Sequence, residues 1–236
     1  MHNGIPLKPP LFEIGLKGYL HGKKALELAK AADRMSKDLG ITIIFDPQHV
    51  DIPAIAQETR HILVFAQHMD PVEIGRGAGA VLPEALKEAG AVGTLLNHVE
   101  RHLTLSDLAR TIRRADAVGL LTLVCADSPE EAAAVAQLGP NMILAEPPDL
   151  IGTTRSLARE NRGFITRSLE LVKGINPNII VFHSAGIRTA ADVVDIIRAG
   201  AEATGTTSGI VRADNPIRQM EEMLIALRQT WQEMHP

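Results

Sequence analysis

The chain predicts a closed (β/α)8 barrel, a single domain over residues 1–236. Three observations predict it. Eight short apolar runs alternate with eight longer stretches of helical periodicity, the rhythm of a parallel sheet with covering helices. No linker rich in Gly, Pro or Ser divides the chain. The competing architecture, an open doubly wound sheet, usually carries a nucleotide fingerprint, and neither G-x-G-x-x-G after a first strand nor a Walker loop is found. Gly75-Arg76-Gly77-Ala78-Gly79-Ala80 is Gly-rich, but it follows a long loop after the third run.

The strand-like runs lie near Leu11–Leu16, Ile41–Phe45, Ile62–Ala66, Val92–Asn97, Leu120–Cys125, Met142–Ala145, Ile179–Phe182 and Ala203–Thr206. Helical stretches follow them at Gly22–Leu39, Ile52–Glu58, Leu82–Ala89, Leu105–Val118, Glu130–Leu138, Phe164–Ile175, Ala190–Ala199 and Pro216–Gln232. Ser128-Pro129-Glu130-Glu131 supplies an N-cap, a first-turn proline and early acids. Thr189-Ala190-Ala191-Asp192 has the form of a capping box with Asp in place of Glu. Gly40, Gly90, Gly119, Gly139 and Gly200 fall where helical periodicity stops, the place for left-handed caps. Two connections exceed what a turn requires, Gln67–Ala80 and Glu146–Arg162. The second opens Glu146-Pro147-Pro148-Asp149-Leu150-Ile151-Gly152-Thr153, a stiff segment with hinge points at its ends, which suits a lid over a substrate.

Composition narrows the function classes. The net charge is −4 with no Lys/Arg-rich block, which argues against nucleic acid or an anionic membrane as partner. Cys125 is the one cysteine, so no intrachain disulfide forms, and its apolar run makes it a buried small hydrophobe. The start lacks an apolar signal core, and no stretch approaches the roughly 20 apolar residues of a membrane span. A cytoplasmic protein is expected.

Parallel sheets place chemistry at the carboxyl ends of their strands. Lys17, His98 and Glu146 each close an apolar run, so a cation, an imidazole and a carboxylate can converge there. Glu146 precedes two prolines, which hold it extended, and a carboxylate beneath a lid can take a proton from a carbon beside a carbonyl. A short helical turn starting at His98 would disfavour imidazolium and keep the ring neutral. Lys17 can hold a phosphate or an oxyanion. Alone, each has a bland explanation: a solvated carboxylate, a histidine bonded to backbone, a lysine reaching into water. Phosphate also needs backbone N–H groups, for which Gly152, Ser184-Ala185-Gly186-Ile187 and Thr207-Ser208-Gly209 are the candidates, the last two after strands seven and eight.

Three segments, Thr94-Leu95-Leu96-Asn97-His98-Val99-Glu100, Ala145 through Thr153 and Ser184-Ala185-Gly186-Ile187, resemble the triosephosphate isomerase family, especially its compact archaeal branch. Ala89-Gly90-Ala91-Val92-Gly93 is similar to that branch too. That family is itself the standing example of a glutamate base working with a neutral histidine beneath a closing loop. The resemblance implies Glu146 as base, His98 as neutral electrophile, Lys17 as oxyanion and phosphate ligand, and Glu100 as the acid behind them. It places Gly152, Ala185, Ser208 and Gly209 in the phosphate loops and the lid from Pro147 to about Thr154. It implies no metal and no cofactor, a homodimer or homotetramer, and a place in glycolysis or gluconeogenesis. Three positions depart from the family. Gly15 stands where it has Asn, Val99 where it has Ser, and Ala78 where it places a Thr reaching a neighbouring subunit.

The leading expectation is an aldose–ketose isomerase of a small sugar phosphate acting through an enediolate, by default on glyceraldehyde 3-phosphate and dihydroxyacetone phosphate. The departures allow a pocket widened and made less polar for a longer substrate, such as a four-carbon ketose phosphate. Two further readings stay open. One is a non-catalytic phosphate-binding barrel. The other is a metal-dependent aldolase or isomerase using spacings such as His98-x-x-x-His102.

Overall fold

The computed structural model describes residues 4, 5 and 7–236. Eight parallel strands close on themselves in sequence order: β1 (Leu11–Gly15), β2 (Thr42–Asp46), β3 (Leu63–Ala66), β4 (Gly93–Leu96), β5 (Leu121–Ala126), β6 (Met142–Ala145), β7 (Ile180–Phe182) and β8 (Ala203–Gly205). β1 pairs with both β2 and β8, through Gly15 opposite Asp46 and Glu13 opposite Gly205. The helices are α1 (Gly22–Leu39), α2 (Ile52–Glu58), α3 (Pro83–Glu88), α4 (Leu105–Val118), α5 (Pro129–Ala136), α6 (Leu157–Glu160), α7 (Arg162–Ile175), α8 (Ala190–Arg198), α9 (Ser208–Val211) and α10 (Pro216–Met234). The predicted strands and the eight predicted helices are present within one or two residues at each end. α6 and α9 fall in segments read as loops, because four residues are too short to show a period.

The caps act as the residue types predict. Thr104 accepts a hydrogen bond from the Asp107 amide, Ser128 from that of Glu131, and Thr189 and Asp192 form a reciprocal capping box. Gly40 and Gly119 close α1 and α4 in the left-handed region, at φ 61° and 76°, where a Cβ would meet the carbonyl.

Period-two alternation splits the core in two. Phe12 and Ile14 of β1 face the helices, while Leu11 joins Ile44, Phe65, Leu121, Leu123, Met142, Leu144, Ile180 and Phe182 inside the barrel. This inner cluster is a packed plug. A Cβ on Gly93 would overlap the Phe65 ring, so the glycine makes room for the aromatic. Glu13 and Gly15 share Leu11's face of β1 and therefore also point inward, one layer nearer the carboxyl ends. The plug is apolar below and ionisable above. Among the described residues, no helix is long and apolar enough to cross a membrane.

Candidate active site

A cavity of about 540 Å³ opens at the carboxyl ends of the strands, within the range of pre-formed small-molecule sites. Lys17, His98, Glu100 and Glu146 all line it, from β1, the segment after β4 and the end of β6. Gly15, Gly152, Ser184, Ala185, Gly186, Thr207 and Ser208 line it as well. Gly209 is not among the lining residues. Its amide donates to Thr206 Oγ1 at 3.2 Å, and it is glycine because a Cβ would lie 2.6 Å from the Ile187 carbonyl.

Lys17 has a left-handed backbone, φ 47°, unusual for a residue with a Cβ. Two glutamines hold it there. Gln48 Nε2 donates to the Lys17 carbonyl at 2.5 Å and Gln67 Nε2 at 3.0 Å, while Gln67 also reaches the Asp46 carbonyl at 2.9 Å. Strain at one residue is maintained by bonds from two neighbouring segments. The ammonium donates to Glu100 Oε1 at 3.0 Å.

Asn97 has the same backbone conformation, φ 58°. Its amide nitrogen donates to the Cys125 carbonyl at 3.0 Å and to Glu131 at 3.2 Å, and its oxygen accepts the Leu103 amide at 2.9 Å. Asn97 thus locks the exit of β4 and aims His98. A single turn does begin at His98, closed by the Arg101 amide on the His98 carbonyl, while α4 starts only at Leu105. The turn acts on the ring through one amide. The Glu100 amide donates to His98 Nδ1 at 3.1 Å, so Nε2 carries the proton in the neutral ring. Burial, then the Lys17 charge, lower its pKa to about 4.

Glu146 is buried, and its pKa is raised to about 8 by desolvation and then by the Glu13 charge. Lys17 and the Ser184 amide pull it the other way. The segment after it contains a 3-10 turn at Pro148–Leu150, Gly152 at φ 74°, and α6. Arg155 ties this segment together through Asp149 at 3.6 Å and Glu160 at 2.5 Å. Its root is docked on the β7 loop, where a Cβ on Gly186 (φ 78°) would collide with the Arg155 carbonyl.

At Gly15 the structure differs from a widened, less polar pocket. A Cβ there would meet Glu13 Oε1 at 2.5 Å and Thr207 Oγ1 at 2.8 Å. The room left by the missing side chain is taken by a carboxylate from the same strand. Glu13 and Asp46 line the cavity, both buried, and burial raises the pKa of each. Val99 is half-buried and does not line the cavity, and Ala78 is exposed in the loop after β3. Cys125 is buried, its thiol pushed well up by burial and by the charges of Glu146, Glu13 and Asp46.

Glu13, Asp46, Gln48 and Gln67 escaped the sequence reading. A signal existed for two of them: Glu13 lies at i−2 and i−4 from Gly15 and Lys17, and Asp46 precedes a proline at a strand end as Glu146 does. Among the described residues, no group of three or more His, Cys, Asp or Glu is arranged to hold a metal ion. His68 and Asp70 instead pin the loop after β3, through their mutual contact at 3.1 Å and the Val81 amide on Asp70 at 2.7 Å.

A closed parallel barrel with a polar cavity over its carboxyl ends defines the class, a (β/α)8-barrel enzyme. The triosephosphate isomerase family model matches residues 11–199. The chain is 38% identical over 217 residues to the triosephosphate isomerase of Methanobacterium bryantii, covering 91% of this chain and 96% of that protein. It is 38% identical over 221 residues to that of Sulfurisphaera tokodaii, covering 93% and 96%. Over 219 residues it is 37% identical to that of Pyrobaculum calidifontis, covering 92% and 96%. The chain belongs to the triosephosphate isomerase family, and its enzyme class is that of the aldose–ketose isomerases.

Proposed function

We propose that this chain interconverts an aldose phosphate and a ketose phosphate through an enediolate, with glyceraldehyde 3-phosphate and dihydroxyacetone phosphate as the reference pair. The observation that carries the reading is the neutral His98, its Nδ1 occupied by the Glu100 amide, facing one cavity with the buried Glu146. The phosphate lies against the amides of Gly152, the Ser184–Gly186 turn and Thr207–Ser208. Glu146 removes a proton from the carbon beside the carbonyl and returns it to the neighbouring carbon. His98 Nε2–H donates to the oxygen that becomes anionic, and Lys17 balances the charge that develops. Closure of the 147–156 segment excludes water, which protects the enediolate and its phosphate.

No step in this scheme needs a metal or a cofactor. Replacing Glu146 with Gln is the test: kcat should fall by about 10²–10⁴. Turnover surviving within a few-fold would remove Glu146 from the role of base. Activity should also persist in a chelator, and its loss there would sink the metal-free scheme. A homo-oligomer is the expected state, which light scattering on the purified chain would measure. The cytoplasm is the expected compartment.

A further inference from the structure

Two carboxyls on the cavity floor have no part in that scheme, Glu13 and Asp46. Two other buried or half-buried acids show what a satisfied carboxylate looks like here. Asp33 accepts the amides of Arg60, His61 and Ile62. Asp192 accepts the Arg188 and Thr189 amides and faces the Arg159 guanidinium. Asp46 is 1% exposed, yet neither of its carboxylate oxygens receives a hydrogen bond from an N–H group or a hydroxyl of any described residue. What it has is the Glu13 carboxyl beside it, and burial followed by the Glu13 charge holds its own carboxyl well above the usual range. Lys17 is the cation that acts on Glu13, and its ammonium is engaged by Glu100 at 3.0 Å.

A buried polar group without a donor is costly, and its persistence calls for a reason. The backbone accommodates this pair at two glycines. Gly15 leaves space for Glu13 Oε1, and a Cβ on Gly205 would lie 2.8 Å from Glu13 Oε2. Both residues line the cavity, Glu13 the more exposed at 6% against 1%, so a donor that the pair lacks can come from a ligand. A triose phosphate has no free hydroxyl beyond the one on its reacting carbons. Its first two oxygens are the reacting ones, engaged by His98 and Lys17, and its third is esterified. A hydroxyl able to reach the floor must be carried on a further carbon.

We propose that Glu13 and Asp46 form a hydroxyl-binding subsite that makes a sugar phosphate of four or more carbons the preferred substrate. This deepens, and rests on, the isomerase reading given above. The subsite binds and selects; the proton transfers remain with Glu146 and His98.

The experiment compares kcat/KM for dihydroxyacetone phosphate and for a four-carbon ketose phosphate such as erythrulose phosphate. It uses the purified full chain, the Glu13→Leu/Asp46→Ala variant, and the near-isosteric Glu13→Gln/Asp46→Asn variant in case the first does not fold. The native chain should favour the four-carbon substrate at least tenfold. The selectivity ratio should fall about ten- to a hundredfold in the apolar variant, the worth of a hydrogen bond to a charged acceptor, and less far in the near-isosteric one. A native preference for the triose, or a ratio unmoved in folded variants, would overturn the subsite and leave the isomerase reading standing. A native chain that turns over neither phosphate would remove both.

Discussion

The two sides of the cavity are built on opposite principles. Apart from Glu146, the β6–β8 side, Gly152, Ser184–Gly186 and Thr207–Ser208, offers small residues and backbone amides. The β1–β2 side offers the carboxyls of Glu13 and Asp46, the first with its Oε1 where a Cβ on Gly15 would otherwise stand. Amides are neutral donors and need no counter-charge. Buried carboxyls do, and here the pair has only Lys17, whose ammonium is already engaged by Glu100. One side is comfortable without substrate and the other is not. On the proposed reading, selection among substrates falls to the strained side, and retention of phosphate to the relaxed one.

The largest effect should come from damaging the relaxed side. Gly186→Ala forces a Cβ into the Arg155 carbonyl at a backbone φ of 78°. The left-handed cost alone is about 1–2 kcal/mol, and the displaced lid root should raise KM for every phosphate substrate at least tenfold. An unchanged KM and melting temperature would show that the lid is not anchored there.

Next comes the strained side. Glu13→Gln/Asp46→Asn should be more stable than the native chain at pH 8, because burial raises both native carboxyls and the unfolded chain releases their protons first. With raised folded values, stability declines as pH rises above the ordinary carboxylate range. The gain should therefore be about 1–3 kcal/mol at pH 8 and shrink below pH 5, as read by denaturant titration. A variant less stable than the native chain at both pH values would mean the pair is a structural bond.

Titration of the two proton carriers gives the third test. Glu146 at about 8 must be ionised to act, so kcat/KM should climb with pH up to about 8, and Glu13→Gln should move that limb downward. His98 has the opposite sign in stability. Its folded pKa of about 4 lies below the ordinary 6.5, so the unfolded chain takes up its proton first and stability falls as pH drops through that window. His183, fully buried and lowered to about 3, adds to the same fall. The smallest effect is expected at Gln48→Ala, which removes one of two hydrogen bonds on the Lys17 carbonyl, at about 1 kcal/mol.

The barrel and its strand-end residues were legible because period and position suffice: an apolar run ending in Lys17, His98 or Glu146 needs no neighbour to be noticed. The floor was not, because Glu13 is meaningful only across strands. In sequence it is one acid in an apolar run, and its relation to Asp46 exists only once β1 and β2 pair with Gly15 opposite Asp46. Gly15 alone reads as a loss of polarity; Gly15 with Glu13 is an exchange of a neutral amide for a charge. For His98 the sequence points to a turn at the strand end, while burial, the largest cause of its lowered pKa, is visible only in the fold.

Lys17 and Asn97 share a left-handed backbone that a glycine would adopt without a penalty of about 1 kcal/mol. A laboratory selection for heat resistance alone would be drawn to glycine at both places and would return inert proteins, one lacking its ammonium and the other with a misaimed imidazole. Hardening this scaffold should begin elsewhere, with those two codons held fixed.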